Sequence, residues 1–210
     1  MTRVAVDGVD GAGKTMFADA LGRVLRSSGA SVIRASVDGF HHPRAVRYRR
    51  GRYSAEGFYR DSFDYARLKQ ALLDPLSPGG TGKFVPAVFD HPSDSPVSLR
   101  EGQGRVGDIL LFDGIFAHRP ELRGYWDLSV FLEVPFETSI KRLGQRDGGP
   151  TDAQAPLNRR YIEGQELYLR ECTPTDQATV IVDNTTPDSP RIIRWRRDST
   201  DDLMAGLPDK

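Results

Sequence analysis

An eight-residue segment near the start of the chain, 8–15, constrains the fold more than any other part of the sequence. It reads G-V-D-G-A-G-K-T and matches the phosphate-binding pattern G-x-x-x-x-G-K-[ST] at every fixed position. The glycines let the backbone bend and approach a phosphate, while the loop amides and the next helix N-terminus attract negative charge. Lys14 adds a positive charge, and the Thr15 hydroxyl is a ligand for Mg²⁺. We therefore predict a nucleotide site formed by Gly8, Asp10, Gly11, Ala12, Gly13, Lys14 and Thr15.

The sequence around this P-loop has the order strand, loop, helix that the motif requires. Residues 3–6 are mostly apolar, and 16–27 has helical spacing that places four apolar residues on one face: Phe17, Leu21, Val24 and Leu25. Further strands are predicted at 31–36, 108–112, 128–134 and 179–182, and further helices at 63–73, 136–145 and 157–171. Short apolar strands alternating with amphipathic helices indicate an α/β protein, a P-loop NTPase three-layer fold with a mostly parallel central sheet.

The chain length of 210 residues suits a single domain, which we place at residues 1–197. Residues 74–107 interrupt the alternation because they are rich in Pro, Gly and Ser, with one short strand predicted within 83–89. We interpret the wider segment 41–107 as an insertion on the acceptor side of the site. The polar segment 198–210 is predicted to be a flexible tail.

Composition excludes several partners. The 29 basic and 29 acidic residues give a formal net charge of zero, which indicates neither nucleic acid nor an anionic membrane as a partner. No apolar run reaches membrane-spanning length, and the first strand begins too early for a signal peptide. The single Cys172 fits a reducing, cytoplasmic location. Assembly into a homo-oligomer stays open.

Two aspartates follow predicted strands and are candidates for chemistry. Asp113 ends the apolar run at 109–112, and Asp38 follows the strand at 31–36. Because the carboxyl ends of parallel strands face the ligand crevice, both side chains are expected beside the P-loop. Asp113 is predicted to hold Mg²⁺ together with Thr15, and Asp38 to accept the proton of an attacking hydroxyl. Each aspartate could instead begin an ordinary turn, since Asp-Gly is a common turn pair.

These segments together carry a family resemblance. The loop 8–15, S-V-D-G-F at 36–40, L-F-D-G-I-F at 111–116 and R-D at 146–147 resemble the uridine kinase/phosphoribulokinase family over roughly residues 1–185. The resemblance implies transfer of the γ-phosphate of Mg·ATP to a primary hydroxyl of a nucleoside, pantothenate, or a sugar or sugar phosphate. It assigns the catalytic acid to Asp38. Asp113 stands where the family usually has Glu, a longer carboxylate, so its contact with the metal is either direct or through water.

The resemblance also suggests acceptor-binding residues. Asp61, which we place at the start of a helix, corresponds to an aspartate that binds ribose hydroxyls, although it could simply complement a helix dipole. The segment Phe89-Asp90-His91 resembles a family segment beside the acceptor, with Phe in place of Tyr. Residues 41–60 interleave arginines with aromatic residues and are interpreted either as an acceptor flap or as a solvated basic loop.

A basic segment near residues 146–160 is interpreted as a lid, because cations flank the flexible G-G-P at 148–150. Its arginines would neutralise charge on the transferred phosphoryl group. The family pattern assigns a catalytic role to Arg146, and we add Arg142 and Arg160 as substrate-binding candidates. Tyr161, Gln165 and Tyr168 are interpreted as packing residues.

Three functions stay open, and an ATP-dependent small-molecule kinase leads. Within it, a nucleoside such as uridine or cytidine is the favoured acceptor, followed by pantothenate and then by a sugar or sugar phosphate. The second function is a P-loop ATPase or switch without an acceptor, and the third is a scaffold without activity. A guanine-reading N-K-x-D motif is absent from the sequence, which argues against a GTPase.

Overall fold

A six-stranded sheet lies at the centre of the computed structural model, which describes residues 1–196. The strands are β1 (Thr2–Gly8), β2 (Val32–Ser36), β3 (Lys83–Phe84), β4 (Phe89–Asp90), β5 (Ser95–Pro96), β6 (Gly102–Gln103), β7 (Ile109–Asp113), β8 (Leu128–Glu133), β9 (Val180–Asp183) and β10 (Arg191–Trp195). The helices are α1 (Lys14–Ser27), α2 (Arg44–Arg47), α3 (Ala55–Asp61), α4 (Tyr65–Leu68), α5 (Phe136–Asp147), α6 (Pro156–Cys172) and α7 (Pro174–Gln177), with 3₁₀ turns at Val37–Phe40 and Arg123–Tyr125 and a π-helical turn at Lys69–Leu73.

The central sheet has the order β10-β9-β8-β1-β7-β2, and every neighbouring pair is parallel except β10 with β9. This arrangement confirms the predicted fold class. The antiparallel edge strand β10 was not predicted from the sequence. The register places Ser36 opposite Asp113 and Gly8 opposite Leu132, so β1, β2, β7 and β8 end at one edge of the sheet.

The two faces of the sheet are covered by different parts of the chain, as period-two alternation requires. Leu110 and Phe112 belong to the larger cluster, which includes residues of α3 and α4, whereas Leu111 belongs to the smaller cluster with Ala18 of α1. Helix α1 approaches the sheet through Ala18 and Gly22. Phe17 and Leu21 pack against the smaller cluster, as predicted, whereas Val24, which was predicted on the same face, is 65% exposed.

The segment 41–107 contributes α2 to α4 and two small hairpins, β3 with β6 and β4 with β5. Helix α3 was not predicted, and the helix expected at 63–73 is α4 continued by the π-helical turn. Helix α3 packs closely on α6, because a Cβ atom at Gly164 would lie 2.8 Å from the Ala55 carbonyl oxygen. This contact places the middle of α6 beside the insertion.

Among residues 1–196, no helix is both long and apolar enough to cross a membrane. Cys172 is buried as a free thiol at the end of α6, where it contacts the Tyr59 hydroxyl at 3.2 Å. The predicted flexible tail at 198–210 lies outside the described residues.

Candidate functional site

The P-loop has a conformation that its glycines make accessible. Gly11 and Gly13 have positive φ angles of 75° and 89°, which side chains rarely adopt. A Cβ atom at Gly11 would also lie 2.1 Å from the carbonyl oxygen of Ser139, so the loop lies directly against α5. Gly13 precedes α1, whose first residues are Lys14 and Thr15. The loop amides and the helix N-terminus therefore lie together, as phosphate binding requires.

Three hydrogen bonds hold this loop. Asn184, just past β9, donates from Nδ2 to the carbonyl oxygen of Ala12 at 2.7 Å. The backbone amide of Asp10 donates to Gln165 Oε1 at 2.5 Å, so Gln165 supports the loop rather than only packing. The Lys14 ammonium donates to the carbonyl oxygen of Val9 at 2.8 Å.

A buried polar network lies below the loop at the end of β1. The fully buried Asp7 accepts from the Gly8 amide at 2.7 Å and from His118 Nδ1 at 2.6 Å, and Tyr168 donates to the same carboxylate. His118 Nε2 lies 2.9 Å from Ser129 Oγ. Because every member has a partner, the network fixes the first glycine of the P-loop without exposing a charge to water.

Thr15 and Asp113 meet at the candidate metal position. The Thr15 hydroxyl donates to Asp113 Oδ2 at 2.8 Å, and Asp113 is 2% exposed. A hydroxyl and a carboxylate at the P-loop are oxygen ligands that suit Mg²⁺, which otherwise binds waters and phosphates. No group of three or more His, Cys, Asp or Glu side chains within residues 1–196 could hold a metal by itself. The residues present therefore fit an ion shared with a nucleotide.

Arg34 is a site residue that the sequence reasoning missed. It donates to Asp113 Oδ1 at 2.8 Å and to the carbonyl oxygen of Leu111 at 2.7 Å. This ion pair orients the carboxylate that faces Thr15. The signal in the sequence is a single arginine within the otherwise apolar β2.

Asp38 lies at the edge of the same crevice. It belongs to the 3₁₀ turn after β2, and its amide donates to Ser36 Oγ at 3.3 Å. Its side chain stays accessible from the crevice. Burial raises the pKa of Asp38; the positive charge of Lys14 opposes the rise, and Asp113 adds to it. Burial likewise raises the pKa of Asp10 in the P-loop.

A cavity of about 890 Å³ opens beside Asp38. Its wall combines residues of the P-loop, the insertion, α5 and α6, among them Asp10, Asp38, His41, Arg47, Tyr48, Phe58, Phe89, Asp90, His91, Arg146, Arg160 and Tyr161. Tyr161 was interpreted as a packing residue, but it lines this cavity. The insertion reaches Asp38 because the Val88 amide donates to the carbonyl oxygen of Gly39 at 2.8 Å.

Two histidines line the cavity near Asp38. Burial lowers the pKa of His41 to about 4, against the effect of a hydrogen bond to the Asp38 carbonyl oxygen. The neutral His41 ring therefore donates from Nδ1 to that oxygen at 3.0 Å. The His91 ring lies against the His41 ring at a tilt of 47°, with ring centroids 4.4 Å apart, and its Nε2 accepts from Arg47 at 2.6 Å. Arg47 also pairs with Asp94 at 2.7 Å, so its charge is compensated.

The structure places some of the predicted acceptor residues on the cavity wall and one of them away from it. Phe89, Asp90 and His91 line the cavity, although Asp90 accepts from the amide and the hydroxyl of Ser93. Asp61 ends α3 rather than beginning a helix, which corrects the sequence-based placement; the next helix is instead capped by Asp64. Asp61 is 2% exposed and accepts from Arg49 at 2.5 Å and from Arg50 at 2.9 Å. It is not part of the cavity wall.

The three lid candidates also differ. Arg146 lines the cavity and pairs with the adjacent Asp147 at 2.7 Å. Arg142 donates to the carbonyl oxygens of Asn184 at 3.2 Å and Thr185 at 2.6 Å, outside the cavity wall. Arg160 is buried in the wall. The catalytic and binding roles of all three stay predictions.

A P-loop follows β1, a central strand of the mostly parallel sheet, and this arrangement defines a P-loop protein. Known proteins with similar sequences and structures belong to the same class. No family model matches the chain. The thymidylate kinase of Xanthomonas campestris is 30% identical over 163 residues, which cover 74% of this chain. The chain spans 66% of the length of that relative, slightly under two thirds.

Two solved structures extend the comparison. A possible uridine kinase from Bacillus stearothermophilus is 26% identical with a TM-score of 0.68, covering 86% of this chain and 87% of that one. Phosphoribulokinase from Rhodobacter spheroides shares the fold at 16% identity with a TM-score of 0.58, covering 92% and 75%. In sequence and fold the chain is similar to P-loop kinases of the uridine kinase/phosphoribulokinase type, as the sequence resemblance predicted.

Proposed function

We propose that this chain transfers the γ-phosphate of Mg·ATP to a hydroxyl group of a small molecule bound in the 890 Å³ cavity. The observation that carries the proposal is the position of Asp38. This carboxylate lies on the cavity wall and is close enough to Lys14 and Asp113 for their charges to act on it. A proton acceptor thus lies between the P-loop and a space large enough for an acceptor molecule.

The residues would divide the chemistry among themselves. The P-loop amides and Lys14 bind the phosphates, and Thr15 and Asp113 would hold the Mg²⁺ whose charge offsets that of the phosphate oxygens. Asp38 orients the acceptor hydroxyl and takes its proton late, because phosphoryl transfer involves little bond formation before the leaving group departs. Arg146 would approach the transferred group, and the wall formed by α5 and α6 limits access of water.

A coupled assay of ADP release tests this function. The panel holds nucleosides, pantothenate, and sugars with and without phosphate, each with ATP and Mg²⁺. We expect release that depends on one acceptor class. ATP hydrolysis at the same rate with and without every acceptor would instead support an ATPase or switch, and absent ATP binding would support a scaffold.

Nucleosides such as uridine and cytidine are the first acceptor class to test. The aromatic rings of Tyr48, Phe58 and Tyr161 on the wall offer stacking surfaces for a base. However, Asp61 was the residue predicted to bind ribose hydroxyls, and both its oxygens accept from arginines outside the wall. The nucleoside hypothesis therefore rests on the resemblance and on the aromatic wall.

Acceptors that carry an anionic group, such as pantothenate or a sugar phosphate, are the second class. One specific observation favours them: the cavity wall holds the buried guanidinium of Arg160, which has no ion-pair partner among the described residues.

A further inference from the structure

Arg160 has an unusual environment for a charged side chain. It is 6% exposed, near the start of α6, and its side chain lines the cavity. Its guanidinium carbon lies 4.9 Å from the ring centroid of Tyr48, 5.3 Å from that of Tyr161 and 5.5 Å from that of Phe58. Three rings thus hold the guanidinium in one position on the wall.

The polar contacts of Arg160 leave its charge uncompensated. Its NH1 group donates to the carbonyl oxygen of Arg52 at 2.6 Å, whereas Nε is buried without a hydrogen-bond partner in the described part of the chain. No carboxylate of residues 1–196 lies within ion-pair distance of it. A buried cation without a counter-charge is costly, and an unpaired donor adds to the cost.

The other well-placed arginines of the wall differ from Arg160 in this respect. Arg47 pairs with Asp94, and Arg146 pairs with Asp147. Neither Asp10 nor Asp38, the two wall carboxylates nearest the P-loop, pairs with Arg160. The cation–π contacts of Arg160 replace only part of the hydration free energy that its guanidinium loses on burial. Its positive charge is therefore available to a ligand.

We propose that Arg160 is the subsite for an anionic group of the acceptor, a carboxylate or a phosphate, held while the acceptor hydroxyl faces Asp38. The proposal rests on the proposed kinase function and names its substrate class. Because Nε is buried and NH1 already donates once, the guanidinium held among these rings can offer NH2 and the second N–H of NH1 to the two oxygens of either anion. The aromatic rings around it would contact the apolar part of the same molecule.

Paired acceptors test this subsite. In each pair the neutral member has a hydroxyl group at the place of the anion: glycerol against glycerate and pantothenyl alcohol against pantothenate for carboxylate, and ribulose against ribulose 5-phosphate for phosphate. We expect the anionic member of at least one pair to have the lower KM, and the pair concerned identifies the anion. Equal KM values within all pairs, or a lower KM for the neutral members, would overturn the proposal.

Variants at Arg160 test the residue itself. Arg160→Gln should raise the KM of the preferred anionic acceptor roughly 10- to 150-fold, the worth of a hydrogen bond to a charged group, with an unchanged KM for ATP. Arg160→Lys keeps the charge and should recover part of the loss. Arg170→Gln, at an exposed position of the same helix, should leave both KM values unchanged. A rise in the ATP KM, or an equal effect on the neutral acceptors, would contradict the assignment.

A binding measurement separates failure of the subsite from failure of the kinase function. With the P-loop filled by Mg²⁺ and a non-hydrolysable ATP analogue, calorimetry of the same pairs needs no turnover. Tighter binding of an anionic member to the unmodified protein, lost in Arg160→Gln, supports the subsite even if no phosphate is transferred. Turnover with binding that is independent of both the anion and Arg160 would retain the kinase and reject the subsite.

Discussion

The proposed nucleotide side and the proposed acceptor side of this site are built in different ways. The nucleotide side is formed by one continuous loop at the end of β1, supported by Asp113 at the end of β7 and by Asn184 just past β9. The acceptor side combines residues of the insertion, α5 and α6, which are far apart in the sequence. The first depends mainly on backbone geometry and strand order, and the second on long-range side-chain packing.

This difference predicts how the two sides respond to mutation. Changes on the nucleotide side should affect every acceptor equally, because the phosphates and the metal are common to all reactions. Changes on the acceptor wall should discriminate between acceptors and leave ATP binding intact.

Lys14→Ala should have the largest effect. The ammonium group is a preorganised charge for the phosphates, and removal of such a donor lowers kcat by at least roughly 10²-fold. The fold should persist, because Lys14 donates only to Val9 within the same loop. Steady-state ADP release and thermal unfolding measure the two quantities. Lys83→Ala, at an exposed residue outside the cavity wall, is the control, and near-normal turnover of Lys14→Ala would refute the P-loop assignment.

Asp38→Asn should lower kcat roughly 10²- to 10⁴-fold, because the substitution keeps the shape and removes the proton acceptor. ATP affinity should barely change. Steady-state kinetics at saturating substrate give kcat, and a binding titration gives the dissociation constant of ATP. Lost ATP binding with retained turnover would make Asp38 a nucleotide or metal ligand instead.

The pH dependence of kcat sharpens the same assignment. A base must be deprotonated to act, and burial raises the pKa of Asp38. Activity should therefore be full above the pKa of Asp38 and should fall as the pH decreases through it. The midpoint of this fall should lie above the pKa of about 3.9 of an ordinary aspartate. The residual activity of Asp38→Asn should lack this acidic limb. A limb of the same midpoint in the variant would assign the titration to another group.

Thr15→Ala should raise the Mg²⁺ concentration required for half-maximal activity by roughly 10-fold, since one oxygen ligand and the hydrogen bond to Asp113 are lost. Thr15→Ser keeps the hydroxyl and is the matched control. Titration of activity with Mg²⁺ provides the measurement. Identical Mg²⁺ dependence of Thr15→Ala and the unmodified protein would exclude the ligand role.

Asp61→Ala should affect stability more than acceptor binding. Burial alone would raise the pKa of Asp61, but the hydrogen bonds from Arg49 and Arg50 outweigh it and hold the pKa below its usual range. Stability from this group is present above the unfolded-state pKa and is lost as the pH falls through the folded-state value. Because both arginines are partly exposed, we expect a loss of about 1–2 kcal/mol at neutral pH.

Urea unfolding at pH 7 and at acidic pH measures the stability change at Asp61, and acceptor kinetics provide the comparison. The stability difference should shrink at the lower pH. A large rise in acceptor KM with unchanged stability would contradict this account and restore the predicted ribose contact.

Much of the fold could be predicted from the sequence, because the evidence for it is local. The central strands have apolar runs that alternate with amphipathic helices, and the five parallel strands were all predicted. Helix α3 was missed, since its segment carries several charged residues and its burial depends on the close contact with Gly164 of α6. The edge strand β10 was also missed, because Arg191 and Arg194 interrupt its apolar pattern.

The candidate site likewise contains features that the local sequence predicts and features that depend on contacts between distant residues. The meeting of Thr15 with Asp113 follows from the motif and the strand order, and the structure shows it directly. By contrast, Asp61 accepts from Arg50, which lies 11 positions away in sequence, and Arg160 donates to the carbonyl oxygen of Arg52, which lies 108 positions away. The ion pairs of Asp61 and the absence, within residues 1–196, of a carboxylate beside Arg160 are set by such contacts. Neither follows from spacing or composition. Arg34 is intermediate between these cases. The sequence shows an arginine within a mostly apolar strand, but it does not show that the partner of this arginine is Asp113.

A single-turnover reaction with γ-labelled ATP shows directly whether the γ-phosphate moves to an acceptor. The label is followed by mass spectrometry in the presence of the acceptor class that the ADP-release screen selects. We expect the label to appear on a hydroxyl of the acceptor, Lys14→Ala to abolish the transfer, and Asp38→Asn to slow it at full occupancy of the ATP site. Label that appears only as inorganic phosphate, at a rate independent of the acceptor and of Asp38, would contradict the account.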